Sequence, residues 1–174
     1  ALSRPSGPGL PRIVTVNPSF TLGPHDYQGA PANSIIKLFA KGFPLDANIG
    51  FSLLDVRDYA DGVLRAAERG RHGQRYLLSG DNVMARDLLI AVSEVAGKKP
   101  PSWRFTLYPA MLGPILGLVE LQSKLMSKPP AVTRVVLELF GRYAWYDTKR
   151  AREELGWQPR RLHDSLRDSL EWLT

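Results

Sequence analysis

The sequence predicts an α/β domain with parallel strand pairing, on three observations. Short β-branched or apolar runs alternate with amphipathic helical segments along the chain, the pattern of strand–helix–strand units. Gly and Pro punctuate that alternation where helices should stop or loops begin. The composition, 44% hydrophobic and 23% charged over 174 residues, is that of a globular chain long enough to bury a core.

Residues 1–11 carry three Pro, two Gly and no apolar core segment, so they read as a poorly ordered tail rather than a secretory signal. Residues 12–174 read as a single domain. Ile13–Val16 is a β-branched run and the first strand; residues 18–31, rich in turn formers, follow as a long loop. Residues 32–41 form a helix with Ile35, Ile36, Leu38 and Phe39 as its apolar stripe, stopped by Gly42. Phe51–Val56 is the second strand. Asp58 then stands at an N-cap position, before a helix whose apolar face is Ala60, Val63, Leu64 and Ala67 and which ends at Gly70. Tyr76–Ser79 is a third strand, and a helix of about 12 residues follows to Ala96, closed by Gly97. A strand-like stretch at 103–108 opens an uncharged segment, residues 105–119, interrupted by Pro109 and Pro114. At 15 residues it is shorter than the roughly 20 a membrane span requires, so it reads as a buried helix or cavity lid. A further helix at 131–140, a short strand at Arg142–Tyr146 and a helix from Thr148 to Leu155, stopped by Gly156, come next. The last helix, 162–173, sets Leu162, Leu166, Leu170 and Leu173 on one face.

The absence of Cys excludes a disulfide scaffold, thiolate metal sites and a cysteine nucleophile, and it fits a reducing, cytoplasmic setting. His25, His72 and His163 are scattered, the G-x-S-x-G elbow is absent, and no metal site is expected. The net charge of +6 is spread along the chain in small clusters flanked by acids, not gathered in one patch. Nucleic acid is therefore not expected as a partner, and the charge alone leaves a basic nucleic-acid-binding domain as a remote alternative. There is no transmembrane segment in this reading, with membrane-surface contact left open. No P-loop is present. Gly70 and Gly73 follow a helix and precede a strand, the reverse of the order in which a dinucleotide fingerprint meets a helix N-terminus.

Four blocks in order, VNPSFTLGPHD, FSLLDVRDYADG, GQRYLLSGDN and WYDTKRAREELGWQPR, resemble the C-terminal half of extended short-chain dehydrogenases/reductases. The resemblance is to the NAD-dependent epimerase/dehydratase and dihydroflavonol-reductase-like branch, and it runs from about residue 9 to the end. It implies the C-terminal part of a Rossmann-type parallel sheet plus the smaller mixed α/β substrate-binding region. It also implies an NAD or NADP cofactor in the full-length family, a small-molecule substrate, and an N-terminal half as partner. Family catalysis uses a Tyr with a Lys four residues later. Four residues after Tyr27, Tyr59, Tyr76, Tyr108, Tyr143 and Tyr146 stand Pro31, Val63, Gly80, Leu112, Asp147 and Arg150, so no such pair occurs in this sequence. Neither does the glycine-rich turn. By this reading the chain is expected to be inactive alone and to bind the dinucleotide weakly or not at all, with no catalytic residue of its own.

Site residues carry over at a few positions. Asn17, Pro18 and Ser19 match the turn that lies against the nicotinamide and the substrate, which makes Pro18 and Ser19 cofactor-facing and Asn17 substrate-facing. Asn33 resembles a substrate-contacting Asn at a helix start, and helix capping explains it equally well. Asp58 reads as structural, and Thr148 and Lys149 as a segment beside the site or simply a helix start. Sugar-nucleotide epimerases place an Arg near the start of the strand that ends at Asp55, where Gly50, Phe51 and Ser52 offer no cation. A less charged substrate, such as a ketone, an aldehyde or a lipid-linked group, is the expectation. A non-catalytic small-molecule-binding or interaction module is the alternative from another class.

Overall fold

The computed structural model describes residues 11–102, 105–107 and 143–173. Expectations for the tail up to residue 10, for the helices in 105–119 and 131–140, and for Arg142 lie outside them. The described elements run β1 (Thr15–Pro18), β2 (Phe20–Leu22), α1 (Pro31–Ala40), β3 (Leu45–Ala47), β4 (Gly50–Asp55) and α2 (Val56–Arg69). They continue with β5 (Arg75–Leu78), β6 (Asn82–Met84), α3 (Ala85–Val95), β7 (Phe105–Leu107), α4 (Lys149–Leu155) and α5 (Leu162–Leu173).

The architecture is mixed α/β. β1 pairs in parallel with β5, from Thr15 opposite Arg75 to Pro18 opposite Leu78. β4 lies between β2, parallel to it, and β6, antiparallel to it, while β3 pairs in parallel with β7. All six residues of β4 are buried, which explains its nearly continuous apolar sequence: both faces are covered. Its alternation divides the core in two. Phe51 and Leu53 join Leu22, Ile36, Phe39, Leu88, Leu89, Val92, Leu166 and Leu170 on one side. Leu54 joins Ala66, Tyr76, Leu78, Leu155 and Trp157 on the other. The leucine face expected for the last helix is observed, with Leu166 and Leu170 buried and Leu162 and Leu173 packed at its edges.

Several elements differ from the sequence expectation. β1 begins and ends two residues later than Ile13–Val16 and takes in Pro18, whose missing N–H is harmless at a strand end. The long loop contains β2, paired through Leu53–Asp55. Asp55 caps α2, accepting a hydrogen bond from the Arg57 backbone N–H at 2.9 Å; Asp58 lies inside the first turn.

The largest correction concerns the apolar face of α2. Asp58, Gly62 and Ala66 are buried, while Ala60, Val63, Leu64 and Ala67 all face outward, Leu64 being 65% exposed. The helix is pressed onto β5 and Trp157 through its small residues. A Cβ at Gly62 would run into the Leu78 side chain and come within 3.1 Å of the Trp157 indole nitrogen. No helix in the described residues is long and apolar enough to cross a membrane.

Candidate active site at the carboxyl ends of β1 and β5

In parallel sheets, ligands bind beyond the carboxyl ends of the strands. At that end of β1 and β5, Asn17 and Pro18 are exposed and Ser19 is half-buried. The Ser19 N–H donates to the Leu78 carbonyl at 2.9 Å, continuing the ladder one residue past the strand, while Pro18 fixes its own φ. The turn is therefore stiff and its outward surface is open.

Beneath it runs a chain of hydroxyls. The Ser79 hydroxyl lies 2.9 Å from that of Ser19 and 2.7 Å from that of Ser52, and Ser52 donates to the Asn82 side-chain oxygen. Ser52 and Ser79 are fully buried. Asn82 in turn bridges to the backbone of Tyr146, accepting from its N–H and donating to its carbonyl, both at 3.4 Å. A cavity of about 540 Å³ opens there, walled by Gly80, Asn82, Tyr146, Thr148, Lys149 and Arg152 among others. Buried hydroxyls without partners would be costly, so each link holds the next in place. Ser52, Ser79 and Asn82 are site residues that sequence reasoning missed. The available signal was one serine within the mostly apolar FSLLD and another directly after the apolar YLL.

Thr148 is buried and accepts from the Arg152 guanidinium at 3.1 Å, while Lys149 is exposed. Below this segment, Trp157 is fully buried and donates from its indole nitrogen to the Asp58 carbonyl at 2.9 Å. Asp58 itself accepts from the Arg160 N–H at 2.8 Å and from its guanidinium at 3.0 Å. Asp55 receives the Arg57 guanidinium at 2.7 Å, and Arg57 also reaches Asp168 at 2.8 Å. Burial alone would push the Asp55 carboxyl up. The hydrogen bonds from Arg57 and Ser165 and the charge of Arg160 outweigh it and hold that carboxyl below the usual range.

Asn33 is elsewhere. It sits inside α1, whose N-cap is Ala30, and it makes no capping bond. Its amide donates to the Gly23 carbonyl at 3.0 Å and to Asp26 at 2.9 Å, and its oxygen accepts from the Gly23 N–H at 3.3 Å. The side chain is 2% exposed and shapes the 23–30 loop.

The fit to a dinucleotide is partial. Gly50, Gly62, Gly70 and Gly80 are each crowded by protein atoms, Gly80 by the Leu53 carbonyl. Among the described residues no glycine-rich turn opens a helix toward a ligand, the arrangement that cradles a pyrophosphate. What the chain offers is the open, rigid turn at Asn17–Ser19.

No family model matches the chain. It is 31% identical over 168 residues to a putative dihydroflavonol 4-reductase of Synechocystis, covering 92% of this chain and 48% of that protein. The crystal structure of gox2253 superposes with a TM-score of 0.71 at 33% identity, covering 92% of this chain and 48% of the other. That of PA4631, a nucleoside-diphosphate-sugar epimerase from Pseudomonas aeruginosa, gives 0.70 at 28% identity over 95% and 48%. At 20% identity, the Bordetella bronchiseptica enzyme WbmF, solved with NAD+, shares the fold at a TM-score of 0.58, covering 91% of this chain and 44% of that one. The chain spans about half the length of each of these relatives. By sequence and by fold, it is a homologue of the dihydroflavonol 4-reductase-like and NAD-dependent epimerase/dehydratase proteins of the extended short-chain dehydrogenase/reductase family, over about half of their length.

Proposed function

We propose that this chain supplies the substrate-binding portion of an NAD(P)-dependent reductase or epimerase acting on a hydroxyl or carbonyl group. The dinucleotide cradle and the proton-transfer pair belong, in this reading, to a separate Rossmann half. One observation carries it: the only partner of β1 among the described residues is β5, and the apolar stripe of α2, the helix that packs on β1, is exposed. α2 packs against β1, and Val14, Val16 and Tyr59 all border the same core cluster around Leu54, Tyr76 and Trp157. A two-stranded sheet is marginal by itself, and a further strand and helix would complete both features. The protein's own contribution is then binding and orientation. The Asn17–Ser19 turn offers rigid backbone to the reacting end of a ligand, and the hydroxyl chain holds it at a fixed distance from the Tyr146–Lys149 wall.

The absence of a cation at Gly50–Ser52 supports a ketone, aldehyde or lipid-linked substrate over a sugar nucleotide. Arg57, Arg71 and Arg160 are occupied by carboxylates, and Arg65 and Arg69 by the carbonyls ending α4, which supports a small-molecule ligand over nucleic acid. Titrating the chain with NADH and NADPH, with and without simple ketones and aldehydes, tests the reading. No saturable binding below about 1 mM and no turnover are expected. Micromolar affinity, or reduction of any carbonyl by this chain alone, would overturn it.

A further inference from the structure

Two consecutive segments and the far end of α5 converge on a second cavity of about 550 Å³. Tyr27 and Gln28 come from the 23–30 loop, Ser34 and Lys37 from one face of α1, and Trp172 and Leu173 from the end of α5. None of these residues belongs to the site at the strand ends, and the cavity is present whether or not the chain serves a reductase.

Tyr27 is 84% exposed, yet its ring is held. Its centroid lies 5.6 Å from that of Trp172 with the rings at 88°, and His25 sits 6.4 Å from Tyr27 and 6.3 Å from Trp172. Two rings at right angles form a corner. A planar ring seated in it stacks on one wall and meets the other edge-on, the two arrangements aromatic quadrupoles favour.

The loop that presents Tyr27 is rigid. His25 adopts a φ of 63°, and the Asp26 carboxylate accepts from the N–H groups of Gln28, Gly29 and Ala30 and from the Asn33 amide. Asp26 is thereby occupied within the loop. Lys37 is the other charged wall, and among the described residues no carboxylate pairs with it. Ser34 stands one turn before Lys37 on the same face, adding a hydroxyl beside the ammonium.

We propose that this corner is a binding site for a planar aromatic ring carrying an anionic group, with the ring against Tyr27 and Trp172 and the anion at Lys37. A few convergent polar groups on an aromatic-walled cavity are what orient such a ligand.

Two-dimensional NMR of the chain with sodium benzoate tests this, with benzyl alcohol and cyclohexanecarboxylate as controls lacking the charge or the aromatic ring. Benzoate should give saturable shifts at the Trp172 indole N–H and at the Gln28 and Lys37 amides. Each control should bind at least about tenfold more weakly. Tyr27→Ala should abolish the shifts, and Lys37→Gln should reduce benzoate to the level of benzyl alcohol. Both positions are exposed, and the rest of the spectrum reports that the fold is kept. Shifts that never saturate, that map to other residues, or that survive Tyr27→Ala would overturn the proposal.

Discussion

Asp55 does two things at once: its side chain caps α2 through the Arg57 N–H, and its charge anchors the Arg57–Asp168 and Arg160 network that ties α5 and the residues before it to the core. Asp55→Ala leaves Arg57 without its main buried partner and removes the cap. Urea unfolding should therefore show a loss of about 3 kcal/mol or more. The pH dependence has a definite sign. Asp55 and Asp26 titrate lower in the folded chain than in the unfolded one, so their stabilisation is complete above the unfolded value near 4 and is lost as pH falls through the folded values. Urea midpoints should be flat from neutral pH down to about 5 and fall below about 4, with a shallower fall in the Asp55→Ala variant. Ser79→Ala withdraws a buried partner from both Ser19 and Ser52, and about 1–2 kcal/mol should be lost in the same measurement. At this scale, patterning placed Asp58 at an N-cap, and the family resemblance gave Asp58 as structural, Asn17–Ser19 as a turn and Asn33 as a substrate-contacting or capping residue. Neither showed Ser52 meeting Ser79, because that contact exists only once the residues that follow β5 fold back against β4.

At the scale of the element, α2 shows why periodicity misled. The largest apolar residues, Val63 and Leu64, share a helical stripe, and burial of that stripe is the usual outcome. Here close approach to β5 and Trp157 is bought by the small residues Gly62 and Ala66, which carry little hydrophobic weight in a sequence pattern. Gly62→Ala should therefore destabilise the chain by about 1–3 kcal/mol through overpacking, although Ala is the better helix former. Replacing Val63 and Leu64 by Lys should leave the unfolding midpoint within about 0.5 kcal/mol of the parent. The same double variant should lower the binding of a hydrophobic dye, which parent chain with the uncovered stripe should show. β2 and β6 were illegible for another reason: at three residues each they are too short for a pattern of their own, and pairing with β4 makes them strands.

At the scale of the whole molecule, strand–helix alternation and the ordered blocks made the α/β class and the family readable from sequence. Capping and turn residues placed α1 and α4 to within a residue or two, with Gly156 in the left-handed conformation that ends α4. Which surfaces are left uncovered was not readable, because a buried and an unpartnered apolar stripe have the same sequence. In the proposed function, β1 is an open sheet edge awaiting another strand. Since Thr15 donates to Gln74 and Ser19 to Leu78, alternation turns the Val16 N–H away from β5. Amide hydrogen exchange of the isolated chain, read residue by residue, measures this directly. The prediction is that Val16 exchanges at close to the rate of an unstructured amide while Thr15 and Asn17 are protected. Protection of Val16 equal to that of its two neighbours would show the edge already covered and would contradict the account.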